Sequence, residues 1–232
     1  MTWADRLALF TPLDAAALAT AIAAWLALSV LIENPPSRRP STSSLMAEYR
    51  RAWMDQMITR QPRIFDAQII GSLRQSTAFF ASTAVLAIGG TLALMGNAEA
   101  LTGIASDFLL IADPAFVWEL KLVLVALFLT NGFLKFVWSN RLFGYASVLM
   151  AAVPNDAADP LSPVRAEQAA EINITAARAF NRGLRSIYFA LTAAAWLAGP
   201  IAFLVATAFT SIVILRREFA SQSRRILLKS RL

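Results

Sequence analysis

The stretch "IYFALTAAAWLAGPIAFLVATAFTSIVIL", residues 187–215, contains no charged side chain and is interrupted near its middle by Gly199-Pro200. Two structures fit this pattern. A single helix kinked at Pro200 would cross a membrane once, whereas a re-entrant hairpin would return to the side from which it came. The choice between them decides on which side of the membrane the C-terminus lies.

Three further apolar blocks occupy residues 13–32, 76–95 and 117–138. Each is about as long as the ~20 residues that a helix needs to cross the hydrocarbon layer. Only 16% of the residues are charged, whereas a soluble domain has about a quarter. We therefore predict an all-α, polytopic integral membrane protein. It forms a single membrane domain over residues 1–232, with four transmembrane helices at the three blocks and at residues 187–215.

The distribution of Lys and Arg predicts the topology, because these residues resist translocation. The first loop carries seven Arg and the third loop five, whereas the second loop, residues 96–116, carries only the acidic Glu99, Asp107 and Asp113. We expect the first and third loops to be cytoplasmic, and the N-terminus and second loop to lie outside.

The charge of the C-terminal tail bears on the choice between the two structures for residues 187–215. It carries six Lys and Arg, and only the hairpin would place them in the cytoplasm. However, each arm of a hairpin would have about 12–15 residues, which is short for a span at ~1.5 Å per residue. Its turn would also bring unpaired backbone groups to membrane depth. We expect one kinked span, with the tail outside.

Two segments are predicted to form helices on the cytoplasmic side. In residues 41–60, Leu45, Tyr49, Trp53 and Met57 recur at intervals of four, which is typical of an amphipathic helix. This helix either lies in the headgroup plane or packs under the helix bundle. Residues 163–186 form the second segment and continue into the last span, so we expect long cytoplasmic extensions of the membrane helices.

The chain contains no Cys and no His. Their absence excludes thiol nucleophiles, disulfides and the usual zinc sites, and it removes the commonest general base. Glu167 and Glu171 have a spacing that could share a metal, but without His we expect a solvated helix face. We predict no catalytic residues, no metal and no cofactor, and therefore no enzyme.

Polar residues inside the third apolar block are candidates for function. Lys121 and Lys135 fall on one helical face, with Asn131 at its edge. They either line an anion path or hold a lipid phosphate, or the two lysines lie near the ends of the span and snorkel to the interface. The candidate lipid- or anion-contact residues are Lys121, Asn131, Lys135, Arg182 and Arg185.

Three strings resemble one family: "FFAST" at residues 79–83, "KFVWSNR" at 135–141 and "RREF" at 216–219. They are similar to the membrane-protein family called domain of unknown function 599, which occurs in bacteria and plants. The sequence has Phe143-Gly144-Tyr145 where the resemblance implies Phe-Asn-Tyr. The resemblance implies four membrane spans and supplies no activity.

We therefore expect a non-enzymatic scaffold or accessory subunit of a membrane assembly. The alternative is an oligomeric channel or transporter for ions or small anions. A preference for Arg over Lys and Ala-rich spans suit a bacterial inner membrane. The formal net charge of +6 accompanies membrane spans, so we expect contact with anionic lipid headgroups and not with nucleic acid. A membrane protein partner or a second copy of the chain would complete the assembly.

Overall fold

The computed structural model describes residues 6, 8–98 and 114–229, and these ranges contain helices and no strand. The all-α class is therefore confirmed. The acidic residues predicted to face outward in the second loop lie outside the described residues. The helices are α1 (Pro12–Glu33), α2 (Thr42–Ile58), α3 (Ile64–Gly96), α4 (Ala115–Ala152), α5 (Leu161–Ala194), a 3₁₀ helix (Ala195–Ala198), α6 (Pro200–Phe219) and α7 (Gln222–Lys229).

Four helical stretches are long and apolar enough to cross a membrane: Pro12–Glu33, Ile64–Gly96, Ala115–Ala152 and Pro200–Lys229. The first three contain the predicted blocks. With 33 and 38 residues, α3 and α4 exceed the ~20 residues that a span requires, so both extend beyond their apolar blocks. The fourth stretch begins at Pro200, thirteen residues after the start of the block predicted from sequence.

Residues 187–215 form a helical hairpin and not one kinked span, so that prediction is wrong. The hydroxyl oxygens of Thr192 and Thr210 lie 2.8 Å apart, whereas a continuous helix would separate them by about 27 Å at 1.5 Å per residue. Gly199 makes the turn with a φ of 98°, a conformation that glycine adopts without steric cost. Pro200 then opens α6, where its missing N–H costs nothing. The end of α5 therefore runs antiparallel to α6.

Hydrogen bonds within the turn pair part of its backbone, which lowers the cost on which the prediction of one kinked span rested. The N–H of Gly199 donates to the carbonyl of Trp196 at 2.9 Å, and the carbonyl of Gly199 accepts from the N–H of Phe203 at 3.2 Å. The Trp196 indole stacks on the Phe203 ring with centroids 5.2 Å apart. The turn thus exposes fewer unpaired groups than a bare reversal in hydrocarbon would.

The chain divides into two compact units, each made of three segments. Unit 1 comprises Met1–Ser29, Thr83–Gly132 and Leu184–Leu215; unit 2 comprises Val30–Ser82, Phe133–Gly183 and Arg216–Leu232. The chain passes from one unit to the other five times, so the N-terminus belongs to unit 1 and the tail to unit 2. Of the 21 Lys and Arg, all but Arg6, Lys121 and Arg185 belong to unit 2.

The core of unit 2 forms where α2, α3, α4 and α5 pack together. Met54 and Met57 of α2 are fully buried there. Leu45 of the amphipathic stripe is also buried and Trp53 is partly buried, whereas Tyr49 is exposed. Small side chains on α5 let its neighbours approach closely; Ala166, Ala169, Ala170, Ala176 and Ala179 are all buried. Ser41 caps α2, because its hydroxyl accepts the N–H of Ser44 at 3.1 Å.

Candidate functional site

The tail of unit 2 is held by the N-terminus of α2. Ser43 donates two hydrogen bonds to the Glu218 carboxylate. Its backbone N–H donates to Oε2 at 3.0 Å, and its hydroxyl donates to Oε1 at 3.0 Å. The Thr42 hydroxyl donates to the Glu218 carbonyl at 3.1 Å. An anion is favoured at this end of a helix because the first N–H groups have no partner within it. We call this set of contacts the tail latch.

A cavity of about 330 Å³ lies beside the tail latch. Its apolar wall includes Met46, Leu73, Phe143, Ile174 and Phe180, and its polar wall includes Thr42, Ser43, Arg50, Ser76, Thr77, Arg178, Asn181 and Glu218. Helices α2, α3, α4 and α5 and the end of α6 all contribute. The lining holds two guanidinium groups and one carboxylate. Its chemistry suits the binding of a polar or anionic group.

Arg50 is the cation that the cavity wall positions most firmly. Its guanidinium donates to Oδ1 of Asn173, and burial lowers the pKa of Arg50 because it penalises the charged form. Asn173 is itself fully buried, and its Nδ2 finds no hydrogen-bond partner in the described part of the chain. Arg178, in contrast, is exposed. Arg178 is thus the guanidinium of the wall that is open to the surface.

A family model matches residues 16–223, and its description reads "Protein of unknown function, DUF599". The chain belongs to this family. No curated protein and no solved structure matches it. The match covers α2 to α6 in full, so most of each unit falls within the DUF599 region.

The strings that suggested DUF599 lie at helix contacts of unit 2. Phe80 of "FFAST" and Phe136 of "KFVWSNR" pack with Phe180 of α5, each pair of ring centroids being 5.5 Å apart. In the second string, the Ser139 hydroxyl donates to the Ala176 carbonyl at 2.7 Å. Glu218 of "RREF" forms the tail latch. These strings therefore supply packing and helix-to-helix hydrogen bonds in this DUF599 chain.

Three of the five predicted contact residues lie inside unit 1. Asn131 donates to the Ser186 hydroxyl at 2.6 Å, and the buried Arg185 donates to the Ser29 hydroxyl at 3.3 Å. Lys121 is only 2% exposed. The interpretation that Lys121 snorkels to an interface is therefore wrong, because its side chain lies within the protein.

Lys121 lies near an acidic residue that the sequence analysis missed. It acts electrostatically on Asp14 of α1, which is 7% exposed. The Asp14 carboxylate also accepts from the Trp196 indole N–H at 2.7 Å and from the Thr11 hydroxyl at 2.6 Å. The signal was available, since Asp14 stands among apolar residues near the start of the first block. Hydrogen bonds such as those from Trp196 and Thr11 are what a buried carboxylate requires in an apolar environment.

The other two predicted residues lie in unit 2, so the five do not form one site. Lys135 is partly buried. Arg182 pairs with Glu33, its Nε donating to Oε1 at 2.8 Å, and this hydrogen bond raises the pKa of Arg182. The Arg182 side chain remains 48% exposed, so solvent screens the pair and it contributes no more than about 1 kcal/mol.

Proposed function

We propose that this DUF599 protein is a non-enzymatic scaffold or accessory subunit of a bacterial inner-membrane assembly. Unit 2 faces the cytoplasm and offers a basic surface to an acidic partner. The observation that supports this proposal is the tail latch, which belongs to the unit that also contains the Arg-rich first and third loops. Unit 2 has 18 Lys and Arg against nine Asp and Glu, a net charge of +9.

The proposed orientation of the protein in the membrane rests on the same distribution of Lys and Arg between the two units. Lys and Arg in short loops stay in the cytoplasm, and unit 1 has only three such residues in all. An N-terminus outside and a tail inside follow from this proposal. The anionic cytoplasmic leaflet attracts basic segments next to a span, so lipid headgroups are the first acidic surface that unit 2 meets.

The role as a scaffold is supported by how unit 2 uses its polar groups. Arg63 donates to the carbonyls of Val153 and Pro154 at 2.6 and 2.7 Å. Arg51 pairs with Glu171 at 2.6 Å. These contacts join α2, α3, the end of α4 and α5 into a folded surface. These Arg side chains hold neighbouring helices in fixed positions, as a surface that binds a partner requires.

Copurification from cross-linked native membranes tests the proposal. Arg225 and Lys229 are exposed on α7, one helical turn apart and outside the tail latch. Replacing both with Gln should weaken recovery of the acidic partner, and added salt should do the same. The variant Gln222→Ala/Ser223→Ala, on the same helix but neutral, is the matched control and should bind as the wild type does.

Reconstitution of the purified protein into liposomes tests the alternative function, a channel or transporter, by measuring flux. A scaffold should carry no ion or anion flux. Flux that depends on the protein and falls when Lys121 is replaced would favour a channel or transporter and would overturn the proposal. Equal recovery of partners by the Gln variant and the control would overturn the role of the basic surface.

A further inference from the structure

The cavity beside the tail latch has more positive charge in its wall than its own carboxylate balances. Its charged residues are Arg50, Arg178 and Glu218. Both oxygens of Glu218 accept hydrogen bonds from Ser43, and within the described part of the chain Glu218 forms no ion pair with either guanidinium. Two guanidinium groups against one carboxylate leave the wall with a net charge of +1, which one monovalent anion would balance.

Two exposed polar side chains of the wall are available to a ligand. The Arg178 guanidinium is exposed and makes no hydrogen bond or ion pair with any described residue. The Ser76 hydroxyl is likewise exposed and has no partner in that part of the chain. Arg50 donates to the neutral amide of Asn173, so no carboxylate cancels its charge. The wall therefore offers donors and positive charge that a molecule can reach from the surface.

The positions of the lining residues in the sequence place this cavity at the membrane boundary. Ser76 is the first residue of the apolar block 76–95, and Glu218 lies three residues after the end of the block 187–215. Three helical residues extend about 5 Å at 1.5 Å per residue. The headgroup region extends about 5–7 Å beyond the hydrocarbon on each side. The cavity thus lies at the depth of lipid phosphates.

We infer that this cavity binds the phosphate of one anionic phospholipid. A phosphodiester carries a single negative charge, which balances the net charge of the wall. The fork of N–H groups on Arg178 matches two phosphate oxygens, and the Ser76 hydroxyl donates a further hydrogen bond. Arg50 adds a second positive charge, which a zwitterionic headgroup would not use as well.

The size of the cavity sets how much of the lipid it encloses. An apolar cavity of about 150 Å³ holds benzene, so about 330 Å³ holds a group about twice that size, such as a glycerophosphate. The acyl chains are larger and lie outside, with their first methylene groups against the apolar part of the wall. That part comprises Met46, Leu73, Phe143, Ile174 and Phe180. A phosphate without acyl chains would leave it uncovered.

This inference requires that the chain spans a membrane, and it does not depend on the role as a scaffold. The test of the acidic partner changes α7, whereas Arg50, Ser76 and Arg178 lie on α2, α3 and α5. The two proposals can therefore fail separately. None of the five contact residues predicted from sequence lines this cavity.

Native mass spectrometry of the full-length protein in detergent counts bound lipids and measures their affinity. Three probes separate the requirements: phosphatidylglycerol, phosphatidylcholine and sn-glycerol 3-phosphate. One molecule of phosphatidylglycerol should bind. Phosphatidylcholine should bind at least about tenfold more weakly, because its choline cation meets two guanidinium groups. Glycerol 3-phosphate should also bind at least about tenfold more weakly, because it lacks the methylene groups that the apolar wall would bury.

Two exposed arginines of unit 2 supply the charge variant and its control. Arg178→Gln removes the unpaired guanidinium of the wall. Arg74→Gln makes the same change of charge two residues before Ser76, and Arg74 is exposed and does not line the cavity. The affinity for phosphatidylglycerol should fall at least about tenfold in Arg178→Gln and stay within about twofold of the wild type in Arg74→Gln. Equal thermal midpoints show that both variants are folded.

Two serines of α3 provide a comparison in which the charge does not change. Ser76→Ala removes the hydroxyl from the wall. Ser72→Ala removes an exposed hydroxyl one helical turn earlier, outside the lining. Phosphatidylglycerol should bind Ser76→Ala at least about threefold more weakly than the wild type, and it should bind Ser72→Ala as the wild type does. Equal affinities in the two variants would overturn the role of Ser76.

The inference is overturned if Arg178→Gln weakens phosphatidylglycerol binding no more than Arg74→Gln does, because the lipid then binds the basic surface as a whole. Equal affinity for phosphatidylcholine and phosphatidylglycerol would overturn it as well. If glycerol 3-phosphate binds as tightly as phosphatidylglycerol, the assignment to a lipid is wrong and the cavity is a site for a soluble phosphate ester.

Discussion

Replacing Gly183 with Ala should destabilise the protein, although Gly183 lies in the middle of α5, where Ala is the better helix former. A Cβ at position 183 would lie 2.6 Å from Cε1 and 2.8 Å from Cδ1 of Phe136. Phe136 is fully buried, and its ring packs against Phe80 and Phe180 with centroids 5.5 Å away. The ring therefore has no free space into which it can move.

The two opposing effects have known sizes. Overpacking of a well-packed core costs about 1–3 kcal/mol, whereas Gly→Ala within a helix contributes about 1 kcal/mol of stability. Because the buried Phe136 ring cannot move, we expect the clash to outweigh the gain, with a net loss of up to about 2 kcal/mol that lowers Tm by up to roughly 8 °C in a chain of this size. Thermal unfolding in detergent measures this shift, and the six Trp supply the fluorescence signal.

Two comparisons isolate the cause. A Cβ at Gly144, which lies in α4, would meet nothing within 4 Å, so Gly144→Ala should leave Tm unchanged or raise it. In a Phe136→Leu background the added methyl group finds room, and Gly183→Ala should no longer lower Tm. The reasoning is refuted if Gly183→Ala is as stable as Gly144→Ala, or if its penalty persists in the Phe136→Leu background.

Three further predictions follow from the hairpin and from the buried charges. Green fluorescent protein fused after the tail should fluoresce, and alkaline phosphatase at the same site should be inactive, because the tail belongs to the unit of the Arg-rich loops; an active phosphatase would contradict this. Lys121→Met should destabilise the protein in a detergent-unfolding titration, because it removes a positive charge that acts on the buried Asp14 carboxylate. Adding Asp14→Asn should recover part of the loss, and an unchanged unfolding curve for Lys121→Met would exclude this electrostatic interaction. Arg50→Met should cost about 1–3 kcal/mol of stability, because it leaves the buried Asn173 oxygen unpaired. Arg182→Met should cost less than about 1 kcal/mol, because its ion pair is half exposed. A larger loss for Arg182→Met than for Arg50→Met in the same titration would contradict both assignments.

Hydropathy and charge in the sequence by themselves determined the fold class and most of the membrane spans of this protein. Long apolar blocks separated by charged loops have no stable arrangement other than helices across a membrane, so the class and the positions of the first three spans were readable. The amphipathic pattern of residues 41–60 predicted α2 to within two residues at either end. The strings at residues 79–83, 135–141 and 216–219 pointed to the family. The six Lys and Arg of the tail also favour the hairpin, in agreement with the structure.

The tertiary structure decided what depends on partners far apart in the chain. Whether a turn at Gly199 is tolerable depends on hydrogen bonds and ring packing around Trp196, including its bond to Asp14, which lies 182 positions earlier. Local patterns determine helices, because a helix satisfies its backbone within itself, but buried polar groups are satisfied by whichever residues the fold brings to them.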